Sequence, residues 1–190
     1  MERVLLVAGS KKAREQLIQL LKNSGVSMVT AAENGGEARR ILIEQEFDLA
    51  LINTPLLDEF GYELAIEAAE ESNSGVIILV KNENADAIAA KVEDYGVIVV
   101  PKPLSRQIFY QSLKMVTAMR RRIVGLKKEN LKLQNKVAEI KIVDRAKCVL
   151  IQYLNMTEPE AHRYIEKKSM DNRMTRKEIA ENILRAYELD

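Results

Sequence analysis

The sequence predicts an α/β front half, a doubly wound parallel sheet of five strands, followed by a long helix and a small all-α bundle of three helices. Three observations carry this reading. Short apolar runs recur through residues 1–104, each followed by a stretch with helical spacing. No proline stands between Pro103 and Pro159, where apolar residues return in steps of three and four. Two helix-start signals then precede two further amphipathic stretches.

In chain order, Val4-Leu5-Leu6-Val7 reads as the first strand, Lys12 to Asn23 as a helix, Ser27 to Ala31 as a strand and Gly36 to Gln45 as a helix. Leu49-Ala50-Leu51-Ile52 is the third strand, Gly61 to Glu71 a helix, and Val76 to Val80 the fourth strand. Ala85 to Asp94 is a helix, and Val97 to Val100 is the fifth strand, ended by Pro101. Strands covered on both faces lose their polar alternation, and strands separated by helices build a parallel sheet. In such a sheet the functional crevice lies at the carboxyl ends of the strands.

A helix is expected from Ser105 to about Leu154. Within it Val116, Met119, Ile123, Leu126, Leu133, Val137 and Ile140 fall on the a and d positions of consecutive heptads, with Asn130 at the one polar a position. A seam that narrow marks a coiled coil rather than a helix on a broad core. The flanking Arg120, Arg121, Arg122, Lys127, Lys128, Lys132 and Lys136 are too many charges to bury. Asn130 suits a two-stranded coil, where one buried amide pairs with its twin and sets the register. The expectation is a parallel homodimer.

The same helix continues through Ala146, Val149, Leu150, Tyr153 and Leu154, an expected apolar face, and stops near Asn155-Met156. Thr157 and Glu160 form a capping box with Pro159 in the first turn. The helix they start should bury Ala161, Tyr164 and Ile165 and end near Ser169-Met170. Thr175 and Glu178 repeat the box before a third helix with Ile179, Ala180, Ile183 and Leu184 inward. A bundle this small needs the coil and dimer behind it.

Composition narrows the function. With 190 residues, 47% apolar and 30% charged, the chain holds one full domain and a smaller one. The single cysteine, Cys148, cannot form an internal disulfide and is read as a buried thiol without a redox role. Met1-Glu2-Arg3-Val4 lacks the apolar core of a signal peptide, and no apolar run is long enough to span a membrane, so a cytoplasmic location is expected. The net charge of +1 hides an asymmetry: residues 1–104 carry 10 basic against 17 acidic residues, a balance of −7, and residues 105–190 carry 19 against 11, a balance of +8. A polyanion would meet the back half. His162 is read as having no partner at metal-ligand spacing, and no nucleophile, base and oxyanion donors can be assembled, so neither a metal, a cofactor nor an enzymatic activity is expected.

Residues 1 to about 104 resemble the receiver domain of two-component response regulators. Gly61 after the third strand and Lys102-Pro103 after the fifth stand where receivers carry their glycine and their Lys-Pro pair. The resemblance implies a flavodoxin-like fold with a phosphate-accepting pocket, and in that pocket this chain departs from the family. Ala8 and Gly9 stand where receivers hold magnesium with two acidic residues, and Asn53 stands where the phosphate-accepting aspartate belongs. Val80 replaces the switch hydroxyl, Val99 or Val100 the switch aromatic, and Pro55 stands two places early. A neutral amide is a poor nucleophile, and a hard cation has little reason to bind without carboxylates. Lys102 is then a leftover cation bonded to the Asn53 carbonyl, and Asp58 and Glu59 are nearby carboxylates read as solvated loop residues. The expected module is a pseudo-receiver over 1–104, used for dimer contact or for docking a regulatory protein or small ligand.

Residues 135 to 187 resemble the ANTAR domain, the RNA-binding module of bacterial transcription antitermination regulators. The resemblance rests on Arg145 to Ile151, Glu160-Ala161, Ser169 to Arg173 and Ile179 to Leu184, with Cys148 where the family usually has glycine. It implies a regulator that binds paired hairpins in nascent messenger RNA. Arg145, Lys147, Arg163, Lys167, Lys168, Asn172, Arg173, Arg176 and Lys177 are the residues expected to supply phosphate contacts and hydrogen-bond donors. The expected order is a pseudo-receiver over 1–104, a coiled coil over 105–140 and an ANTAR bundle over 141–190, acting without phosphorylation. The rivals are a DNA-binding regulator and a dimeric adaptor that binds only protein.

Overall fold

The computed structural model of the chain describes residues 3–187. Strands β1 (Arg3–Ala8), β2 (Met28–Ala32), β3 (Leu49–Asn53), β4 (Gly75–Lys81) and β5 (Ile98–Lys102) form one sheet in the order β2-β1-β3-β4-β5, with every pair parallel. Helices α1 (Lys11–Asn23), α2 (Gly35–Glu44), α3 (Tyr62–Glu71) and α4 (Ala85–Val92) are the crossovers that the alternation predicts. Side chains of a strand alternate between faces, and here both faces are covered. Leu5, Val7, Ala50, Ile52, Ile78 and Val80 share one core with α2, α3 and α4, while Val4, Leu6, Leu49, Leu51, Ile77 and Leu79 share the other with α1. The strand order reverses between β1 and β3, which places the topological switch point at their carboxyl ends, where Ala8 and Asn53 stand opposite each other in register.

Helix α5 runs unbroken from Arg106 to Leu154. Its first turns do not belong to a seam. Phe109, Leu113 and Val116 recur at helical spacing and are buried on the sheet face beside Leu17 and Leu21. The approach is close because β4 starts with Gly75, where a Cβ would stand 2.6 Å from Val116 Cγ2. One turn further on, the Arg120 guanidinium donates to the Asn73 carbonyl at 2.8 Å and pairs with Asp48 at 2.8 Å. Val116, expected in the dimer seam, is therefore a core residue of the sheet module. The first compact unit runs on to Gly125 and the second begins at Leu126, so the sheet module takes in helix that the sequence assigned wholly to the coil.

In the second unit, α6 (Glu158–Asn172) and α7 (Arg176–Tyr187) close around the last turns of α5. Ala146, Leu150, Ala161, Ile165, Ile179, Ala180, Ile183 and Leu184 form its core. Both predicted starts are present: Thr157 donates through its backbone N–H and its hydroxyl to Glu160 at 2.8 and 2.7 Å, and Thr175 does the same to Glu178 at 2.7 and 2.8 Å. Helix α6 runs past the expected Ser169-Met170 to Asn172, and Arg173, at φ 52, ends it in the left-handed region. Tyr153 and Leu154, expected on the apolar face, are exposed, although the Tyr153 ring still meets Tyr187 of α7 with centroids 5.3 Å apart. Cys148 is exposed too, contrary to the expected buried thiol. It lies two residues from both Ala146 and Leu150, about 200° around the helix from each.

Candidate functional site

The crevice at the switch point is built from the ends of β1, β3 and β5. Asn53 closes β3, and Lys102 closes β5 and reaches across to it, donating from Nζ to Asn53 Oδ1 at 3.2 Å and to the Thr54 carbonyl at 2.5 Å. Thr54 is itself pinned, its hydroxyl donating to the Leu79 carbonyl at 2.9 Å. Val80 is fully buried and offers the crevice no hydroxyl. Burial, and after it the neighbouring Lys81, holds the Lys102 ammonium below the usual lysine range, since a cation loses hydration there without gaining a counter-charge.

The other side of the crevice is closed by a residue the sequence reading missed. Arg14, in the first turns of α1, reaches back to donate from Nη1 to the Ala8 carbonyl at 2.8 Å and pairs through Nη2 with Glu33 at 2.5 Å. A guanidinium thus lies beside the carboxyl end of β1, where a divalent cation would need carboxylates, and it already takes up the Ala8 carbonyl. Its only signal in the sequence is a basic residue one turn into the helix after β1. Gly9 follows, and a Cβ on it would come within 3.0 Å of the Leu57 side chain.

Asp58 is exposed and Glu59 partly buried, and both carboxylates are also hydrogen-bonded within the fold. The Asp58 carboxylate accepts the Gly35 and Gly36 N–H groups at 2.9 and 3.0 Å, covering the start of α2, and these bonds hold its carboxyl below the usual range. Glu59 accepts from Arg39 at 2.7 and 3.1 Å, and Glu67 holds the same guanidinium at 2.5 and 3.2 Å. Those hydrogen bonds push the Arg39 pKa further up. Both acids are therefore occupied in tying the β3–α3 loop to α2. Among the described residues no group of three or more His, Cys, Asp or Glu is placed to hold a metal ion.

In the bundle, most of the expected RNA-binding side chains are exposed around the α6–α7 turn. Arg163, Lys167, Lys168, Asn172, Arg173, Arg176 and Lys177 are all on the surface, as is Arg145 on α5. The turn is held from within: the Ser169 hydroxyl donates to the Met174 carbonyl at 2.6 Å, Met174 N donates to the Ser169 carbonyl at 3.1 Å, and Asn172 Nδ2 donates to the Lys168 carbonyl at 2.8 Å. Arg176 and Glu166 are 3.4 Å apart and Lys177 and Glu181 3.8 Å, exposed pairs that water and salt loosen. Lys147 is different. Its side chain is only 15% exposed, and its ammonium lies 2.8 Å from Asp144 and 2.9 Å from Glu158, bonds that raise its pKa. It ties α5 to the start of α6 and is not an open phosphate donor. His162 does have a carboxylate at helical spacing, Glu166 at 3.3 Å, a surface pair four residues apart.

Along α5, Ile123, Leu126, Leu133, Val137 and Ile140 are each more than half exposed, and Met119 is 38% exposed. Asn130 is exposed as well.

The comparisons with known proteins agree with this division of the chain. A model of the response regulator receiver domain matches residues 4–114, and a model of the ANTAR domain matches residues 131–184. The transcriptional regulatory protein PdtaR of Mycobacterium tuberculosis, in two strains, is 26% identical over 182 residues, which cover 96% of this chain and 89% of that protein. Among solved structures, a response regulator receiver domain protein from Clostridium thermocellum superposes with a TM-score of 0.58 at 17% identity, over 65% of this chain and 99% of that one. A two-component response regulator from Clostridium difficile does so with a TM-score of 0.54 at 22% identity, over 61% and 95%. No helix among the described residues is long and apolar enough to cross a membrane.

Proposed function

Because this chain belongs to the response regulator receiver family and carries a C-terminal ANTAR domain, we propose that it is a transcription antitermination regulator that binds hairpins in nascent RNA as a dimer, without being phosphorylated. The observation that carries the RNA reading is the α6–α7 turn, a surface braced by its own hydrogen bonds from which Arg173, Arg176 and Lys177 project. Preset cations of this kind bind phosphate without ordering the backbone anew. Independence from phosphate is supported by Asn53 in the acceptor position and by Arg14 lying beside the end of β1. The exposed stripe from Met119 to Ile140, with Asn130 at its polar a position, supports a parallel coiled-coil dimer, which places two bundles on one stem. The pseudo-receiver then takes its input from a regulatory protein or a small ligand.

The test is a gel-shift series at several salt concentrations with one-hairpin RNA, two-hairpin RNA and duplex DNA of equal charge. Two-hairpin RNA is expected to bind far more tightly than one, because the second contact is intramolecular. Changing Arg173, Arg176 and Lys177 together to Ala should flatten the slope of log affinity against log salt by about two to three units. Lys147→Ala should leave that slope unchanged. Equal slopes for wild type and the triple variant remove this surface from the RNA site. Preference for DNA favours a DNA-binding regulator, and failure with both nucleic acids favours a protein-only adaptor.

A further inference from the structure

A cavity of about 660 Å³ opens between α1 and the turn that joins β5 to α5. Leu17, Leu79 and Leu104 give it an apolar lining, Asn53, Lys102 and Arg106 contribute polar groups, and no acidic residue lines it. Lys102 gives two of its three N–H bonds to Asn53 Oδ1 and the Thr54 carbonyl. The third has no acceptor, and no carboxylate pairs with the ammonium, among the described residues. Since Asn53 Oδ1 is taken by Lys102, its Nδ2 is left as a donor. Arg106 is the first residue of α5, whose first turn holds no acidic residue, so the positive end of that helix is uncompensated as well. A half-buried cation without a counter-charge is unfavourable alone, and burial already lowers the Lys102 pKa.

We propose that the sheet module binds a small organic anion in this cavity, a carboxylate or phosphate group on an apolar body, with Lys102, Arg106 and the Asn53 amide holding the charged head. This rests on the crevice lacking a phosphoryl acceptor and not on RNA binding. It gives the amide a positive role: an aspartate at 53 would neutralise Lys102 and repel the ligand, whereas asparagine leaves the cation unpaired and adds a donor.

The test is calorimetric titration of the full chain with naphthoate, naphthyl phosphate, the neutral naphthalenemethanol and inorganic phosphate. At least one naphthyl anion is expected to bind about tenfold or more tightly than the alcohol and inorganic phosphate, and whichever anion binds better tells a carboxylate ligand from a phosphate one. Asn53→Asp, which keeps the shape, and Lys102→Met, which keeps the stem, should each weaken that anion by about tenfold or more. Ala13→Phe, which narrows the cavity from α1 and leaves every charge in place, should abolish its binding. Circular dichroism confirms that each variant is folded, and Asn53→Asp alone suffices if Lys102→Met is not. The proposal is overturned if neither anion binds, if the alcohol or inorganic phosphate binds as tightly as the anions, or if the folded variants bind like the wild type.

Discussion

The contact between Gly75 and Val116 tests where the sheet module ends. Gly75→Ala places a methyl 2.6 Å from Val116 Cγ2, far inside van der Waals contact. The strand has little freedom to yield, because Gly75 N donates to the Asp48 carbonyl at 3.0 Å and Gly75 pairs with Leu49 in β3. The Val116 side chain or helix α5 must give way instead, and overpacking of this kind costs about 1–3 kcal/mol. Val116 is 2% exposed, and Val116→Ala removes two buried methyl groups, roughly 1.6 kcal/mol of transfer free energy, with the cavity bringing the cost to about 2 kcal/mol. In the double variant the new methyl enters the space vacated by the valine. The pair should therefore cost about 1 kcal/mol or more less than the sum of the single changes. Urea unfolding of the four proteins, followed by circular dichroism at one protein concentration, gives the coupling. Additive costs, or a neutral Gly75→Ala, would mean that α5 does not rest on the sheet at Val116 and would return that residue to the seam.

Three further outcomes follow from the same geometry. Incubation with a small phosphoryl donor and magnesium should leave the mass unchanged, and Asn53→Asp alone should not change that, because Ala8 and Gly9 would still offer magnesium no carboxylate; one stable phosphoryl adduct on the sheet module refutes the pseudo-receiver. If the proposed coiled-coil dimer forms, replacing Leu126 and Leu133 by Glu puts charge into its seam and should cost it on the order of 3 kcal/mol or more. Both side chains are over half exposed within one chain, so each protomer should stay folded, and an unchanged dimer in sedimentation moves the interface elsewhere. Glu160 and Glu178 have carboxyls held below their ordinary value of 4.5, first by the Thr157 and Thr175 N–H groups and then by the threonine hydroxyls. A depressed pKa stabilises the folded state above the ordinary value, and that stabilisation is lost as pH falls through the lower folded value. Bundle melting temperature should therefore drop as the pH is taken below about 4.5, and changing both glutamates to Gln should remove that part of the dependence; an undiminished acid drop in the double variant would show that the boxes do not carry it.

What the sequence by itself determined is whatever neighbours a few residues apart can encode. Apolar runs specified five strands, three-and-four spacing specified the helices, and Thr157-Glu160 and Thr175-Glu178 marked two helix starts. Asn53 and Lys102 at the ends of their strands were legible as a crevice, because a parallel sheet gathers the carboxyl ends of its strands on one edge. Tertiary structure decided what depends on a partner distant in the chain. Val116 and Ile123 occupy the same a position of successive heptads, yet Gly75 gives the first a place in the sheet core while the second stays more than half exposed. Lys147 read like the other basic residues, with Asp144 one turn before it, until Glu158 at the start of α6 closed on it. Asp58 reaches Gly35 and Gly36 across 23 and 22 positions, and Arg14 turns back to the end of β1. Periodicity records which face of an element is apolar, but not which surface covers it, and a charged side chain on a loop carries no periodic signal of the group it will meet.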